Sequence, residues 1–133
     1  MRVGLERLQA GVRRFQDRWP ERWLPALATW YMGAKHRADV GGGCAMPSPS
    51  PEVAKADAET RAVYQAGLLA TVEAMTARLP FRYAEDGRAL AWATLALLAG
   101  GVILSRAVED PALAEEIASA VRDAVASGAT RGD

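Results

Sequence analysis

Between Ala89 and Ser105 the chain reads ALAWATLALLAGGVILS, seventeen residues without a charged side chain. A segment this apolar, with no alternation of polar and apolar positions, is either a helix covered on more than one side or a span across a bilayer. A span needs about 18 to 20 apolar residues. The run falls just short of that, contains Thr94 and the Gly100-Gly101 pair, and is closely bounded by Asp86, Arg88 and Arg106. A buried helix is expected, near Asp86 to Val108, and other helices must surround it.

The remaining sequence supplies them. Ala, Leu, Arg and Glu dominate and no stretch alternates like a half-buried strand, so an all-α fold of about six helices is expected. Leu5, Leu8, Val12, Phe15 and Trp19 recur at steps of three and four, the stripe of an amphipathic helix ending before Pro20. Trp23, Leu27, Trp30 and Tyr31 share a face of a second segment, which Pro25 must either start or kink. In SPEVAKA, Ser50 suits an N-cap and Pro51 the first helical position, predicting a short helix. Asp57 caps a long helix, Ala58 to Leu79, which Pro80 closes and which carries Tyr64, Leu68, Val72 and Met75 as a stripe. Asp110 and Pro111 open a last helix expected to run to about Ser127 and stop at Gly128.

A chain of 133 residues is one domain's worth, residues 1–133, and long enough to bury a core unaided. One cysteine forms no internal disulfide, and one cysteine with one histidine fills no zinc site, so no metal or cofactor is expected and the chain reads as cytoplasmic. The N-terminus lacks the apolar core of a signal peptide, and no membrane partner is expected. Charge is uneven: residues 1–37 hold eight Arg/Lys against three Asp/Glu, net +5, and residues 38–133 hold eight against thirteen, net −5. Arg7, Arg14 and Arg18 fall opposite the apolar stripe, as a solvated helix face or a weak phosphate-facing surface; the former is the simpler reading.

The segment His36 to Lys55 concentrates the single histidine, Cys44, a GGG tract and PSPSP. A nucleophilic cysteine needs a base, a cationic neighbour or a helix N-terminus to hold its thiolate, and no third, orienting residue stands out here. GGGC follows no strand and lacks phosphate-loop spacing. No catalytic residue is assigned; a Cys44-dependent thiol enzyme is the weakest of the alternatives. The aromatic residues carry more: Trp23, Trp30, Tyr31, Tyr64 and Trp92 sit on three helices, where they either pack a core or line an apolar pocket.

The apolar helix also exceeds what five or six short helices bury alone. Small residues at Ala96, Ala99, Gly100 and Gly101, beside Leu97 and Leu104, admit a close neighbour, and Leu113, Ile117, Ala120, Val121 and Ala124 offer an apolar face on the last helix. A two-fold four-helix arrangement uses both surfaces, so a homodimer through Leu97, Gly100, Gly101, Leu104, Leu113, Ile117 and Val121 is expected.

The ordered set GLERLQAGV, HRADVGGGCAM, PEVAKADAETRAVYQAGLLATVEAM and WATLALLAGGVILSRAVEDPALAEEI resembles the C-terminal ligand-binding and dimerisation domain of TetR/AcrR-family transcriptional regulators, over essentially the whole chain. The resemblance implies an effector pocket among the middle helices, a dimer through the last two, and coupling to DNA through an N-terminal helix-turn-helix. Carried over, the pocket would involve Trp23, Leu27, Trp30, Tyr31, Cys44, Met46, Tyr64, Leu68 and Trp92, and the effector would be small and apolar or aromatic. Two departures stand out. This sequence holds no helix-turn-helix, implying no sequence-specific DNA binding by the polypeptide itself, whether it is a truncated regulator or a headless domain; and MPSPSP replaces the apolar helical residues usual there. A helical oligomerisation scaffold without a sensing role is the alternative.

Overall fold

A computed structural model describes residues 2–33, 57–79 and 87–130, and among them every regular element is an α-helix. In chain order these are α1 (Arg2–Arg18), α2 (Trp23–Tyr31), α3 (Ala58–Ala77), α4 (Gly87–Ala107) and α5 (Pro111–Thr130). The expected all-α fold is present. The short helix expected from Ser50 lies outside the described residues, as do Cys44 and Met46.

α1 buries Leu5, Leu8 and Val12, as its stripe predicts, but the stripe turns outward before its end: Phe15 is half-buried and Trp19 is exposed. The helix ends at Arg18, the Trp19 N–H donating back to the Phe15 carbonyl at 2.9 Å, and Pro20 offers no donor to continue the ladder. The position the stripe leaves unclaimed is Gln16, which is buried and donates from Nε2 to the Ala74 carbonyl of α3 at 2.8 Å. Ala74 lies in the last turn of α3, where a carbonyl has no partner within its own helix.

Pro25 neither begins nor kinks α2. It is the third helical residue after the N-cap Arg22, inside the first turn, where a missing N–H removes no intrahelical bond. α3 opens on Asp57, whose Oδ1 accepts from the Thr60 N–H at 2.8 Å. That backbone bond, followed by the Thr60 side chain, holds the Asp57 carboxyl below its ordinary range. α3 ends at Ala77, short of Leu79, because the residue before a proline is pushed out of helical geometry and Pro80 follows. Asp110 caps α5 through Oδ1, which accepts from the Ala112 N–H at 3.0 Å.

α5 does not stop at Gly128. The helix continues through it to Thr130, and no glycine among the described residues has a positive φ, so Gly128 does not make a left-handed cap. A β-carbon there would lie 3.4 Å from Leu90 Cδ1 at the start of α4. The end of α5 is held by packing against α4, which overrides the propensity of glycine to end a helix.

Packing runs in a closed circuit: α1 on α3, α3 on α4, α4 on α5, α5 on α2 and α2 on α1. The core fills its centre, with Leu8, Val12, Leu27, Tyr31, Met32, Met75, Leu98 and Val102 fully buried. Glycine sets two close approaches. A β-carbon on Gly67 would stand 2.6 Å from Leu5 Cδ1, so α1 and α3 meet at that point. At Gly101 the space is taken by Val121 and Met32.

Candidate functional site

The residues expected to line a pocket divide between interior and surface. Trp23, Leu27 and Tyr31 of α2 are fully buried, Tyr64 of α3 is 8% exposed and Leu68 half-buried. These five are gathered in or against one core. Trp30 and Trp92 are not among them: each is 37% exposed, Trp30 on the outer side of α2 and Trp92 on the outer side of α4. The other two, Cys44 and Met46, lie outside the described residues.

The interior group has a polar edge at the C-terminal end of α3. The Trp23 indole N–H donates to the Arg78 carbonyl at 3.1 Å. The Arg78 guanidinium reaches across to α1, donating to the Gln16 carbonyl at 3.2 Å and pairing with Asp17 at 2.6 Å. With Gln16 bound to Ala74, this junction ties α1, α2 and the end of α3 together. Its exposed ion pair is worth little by itself. The buried amide and indole donors matter more, because each satisfies a carbonyl that α3 leaves open. Sequence periodicity passes over Gln16 and Arg78, since a polar residue on an apolar stripe announces no partner.

The second surface is the outer side of the α4–α5 pair. The positions of α4 that turn away from the core are Arg88, Ala89, Trp92, Ala93, Ala96, Leu97, Gly100, Ile103, Leu104 and Ala107, and after Arg88 in the first turn there is no charge or hydroxyl among them. Leu97 is 39% exposed, Ile103 43% and Leu104 58%, and Leu113 of α5 adds a further exposed leucine at 40%. Ile117 and Val121 of α5 are half-buried. Gly100 faces open space, since a β-carbon there would meet nothing within 4 Å, whereas Gly101 points inward onto Val121. Of the expected interface, Leu97, Gly100, Leu104 and Leu113 thus lie on the exposed side, Gly101 and Val121 meet inside the fold, and Ile103 joins the exposed set. Ile103 lies three residues from Gly100, so the same periodicity includes it.

α4 is long and apolar enough to cross a membrane, but its opposite side, from Ala91 through Leu95, Leu98, Val102 and Ser105, is buried against the other helices. An exposed contiguous apolar face on a packed helix is the mark of an interaction surface. Among the described residues no group of histidine, cysteine or carboxylate side chains is placed to hold a metal.

No family model, curated protein or solved structure matches the chain.

Proposed function

We propose that this chain is a homodimeric, effector-sensing domain of TetR-like architecture, with α4 and α5 of each copy forming a four-helix interface. One observation carries the reading: the outer side of α4, from Trp92 to Leu104, is apolar without interruption, and α5 adds the exposed Leu113. A second copy related by a two-fold axis presents the same face, covers both at once and closes the assembly. Gly100, at the middle of that face with open space before it, lets the facing backbones come close.

The sensing part of the proposal rests on the aromatic interior. Trp23, Tyr31 and Tyr64 give that interior large rings, and Arg78, Gln16 and Trp23 give it a hydrogen-bonded edge that joins three helices. A small apolar or aromatic effector entering among these helices would favour one of their packings, and α1, tied to α3 at Gln16 and Arg78, would carry the shift toward the N-terminal side.

A second reading, an oligomerisation domain without an effector, is favoured by the complete burial of Trp23, Leu27 and Tyr31 within the core. Thermal melts against a library of small aromatic and apolar compounds separate the two. Sensing predicts that some compound raises the midpoint and changes the emission of Trp23; a flat response across the library, from a protein that still dimerises, leaves the scaffold.

A further inference from the structure

α1 packs on α2 and α3, whereas the proposed dimer face belongs to α4 and α5, so the outer side of α1 is a separate surface. It carries Arg13, Arg14 and Arg18, which with Ala10, Asp17 and Trp19 line a shallow open depression of about 810 Å³. The one carboxylate there, Asp17, is already paired with Arg78 at 2.6 Å. Among the described residues no acid is paired with Arg13, Arg14 or Arg18, so the depression is positively charged.

The arginines are not simply splayed into water. The Arg18 guanidinium carbon lies 5.2 Å from the Trp19 ring centre, and that of Arg14 lies 5.6 Å from Phe15 and 6.0 Å from Trp30. The rings beneath them form a ladder, Trp19 on Phe15 at 5.5 Å and Phe15 on Trp30 at 5.7 Å. A guanidinium laid on an aromatic ring keeps its N–H edge free and loses less freedom on meeting an oxyanion. Phosphate oxygens are the matching acceptors.

The ladder decides which phosphates. Single-stranded nucleic acid is gripped by stacking its bases on open ring faces, and here Trp19 already stacks on Phe15, Trp30 lies tilted against Phe15, and guanidiniums lie over all three rings. An acidic peptide needs a groove or a sheet edge for its backbone, and the depression is open. What remains presented is the periphery of two indoles, Trp19 at 36% exposure and Trp30 at 37%, flanking a cluster of cations. Indoles with one apolar and one polar side settle at the headgroup level of a bilayer, and arginines beside them are drawn to anionic lipid.

We propose that the Arg13–Arg14–Arg18 face of α1, with Trp19 and Trp30 at its rim, docks peripherally on a bilayer surface rich in anionic phospholipid. This departs from the expectation, drawn from sequence, of a solvated helix face and no membrane partner. It needs neither a spanning helix nor the dimer face.

The test is flotation of the full chain with vesicles of phosphatidylcholine alone or mixed with phosphatidylglycerol, at low and high salt. Flotation with the anionic vesicles only, reversed by salt and accompanied by a blue shift of tryptophan emission, is the expected result. Each exposed arginine near such a surface contributes about fivefold to partitioning, so combining Arg13→Gln, Arg14→Gln and Arg18→Gln lowers it on the order of 100-fold. Trp19→Phe removes part of the blue shift while leaving flotation salt-dependent, and Arg61→Gln on α3, away from the patch, changes neither. Circular dichroism checks that each variant stays helical. Absence of flotation by the unmodified chain overturns the proposal, as does an equal loss with Arg61→Gln. Binding of an oligothymidylate at salt concentrations where the vesicles do not bind overturns it in favour of nucleic acid.

Discussion

Gly100 and Gly101 stand side by side on α4 with opposite surroundings. A β-carbon on Gly101 would lie 2.8 Å from Val121 Cγ2 and 2.9 Å from Met32 Cε, whereas one on Gly100 would meet nothing within 4 Å. One glycine lets α4 and α5 close on each other over Met32; the other leaves a bare spot on the outside.

Two substitutions exploit the contrast. Gly101→Val forces a branched side chain against Val121 and is expected to lower unfolding free energy by about 1–3 kcal/mol, the usual cost of overpacking. Gly100→Ala enters free space and replaces the poorest ordinary helix former with the best, a gain of up to about 1 kcal/mol in the monomer. Urea titrations read both. Equal effects of the two would contradict the inward and outward assignments.

The junction at the end of α3 gives a second pair. Gln16→Leu keeps the bulk near the core but leaves the Ala74 carbonyl without its 2.8 Å donor, an expected loss of about 1–3 kcal/mol. Trp23→Phe removes the donor to the Arg78 carbonyl and leaves space behind it. Because both donors serve the same end of α3, the double variant is expected to lose less than the sum of the two singles. Strict additivity in a double-mutant cycle would show that the two bonds act independently.

Asp57 predicts a dependence on pH. Its carboxyl is held below the ordinary aspartate range by the Thr60 N–H, so the folded chain binds its proton less well than the unfolded chain does. The stabilisation is therefore present above the unfolded-state value and fades as pH falls through the lower, folded one. Asp57→Asn retains a capping acceptor and should blunt the acid loss; Asp57→Ala removes the cap at every pH. Melting temperatures of the three proteins from neutral to acid pH check this, and parallel curves for the unmodified chain and the Asp57→Asn variant would contradict it.

What could be read ahead of the structure follows local chemistry. Asp57 and Asp110 are legible as caps because the side chain that caps lies two or three residues from the N–H it accepts. Leu5, Leu8 and Val12 are legible because one helix face suffices to define them. Gln16 is not, since its partner stands 58 residues away and nothing near it in sequence says so. The outward turn of Trp19 goes with its stack on Phe15, which in turn meets Trp30 at a tilt, and the run of α5 through Gly128 goes with the packing of Leu90. Sequence groups Trp30 and Trp92 with the interior because aromatic rings favour burial; the circuit of helices has room inside for Trp23 and Tyr31 and turns those two outward.

Leu104 is the most exposed large apolar side chain of the α4 face, at 58%. Sedimentation equilibrium of the unmodified chain and of Leu104→Glu tests the proposed assembly most directly. The expected result is a dimer at micromolar concentration that becomes a folded, helical monomer when a carboxylate is placed on that face. A monomer before substitution, or a dimer that survives Leu104→Glu unchanged, would contradict it.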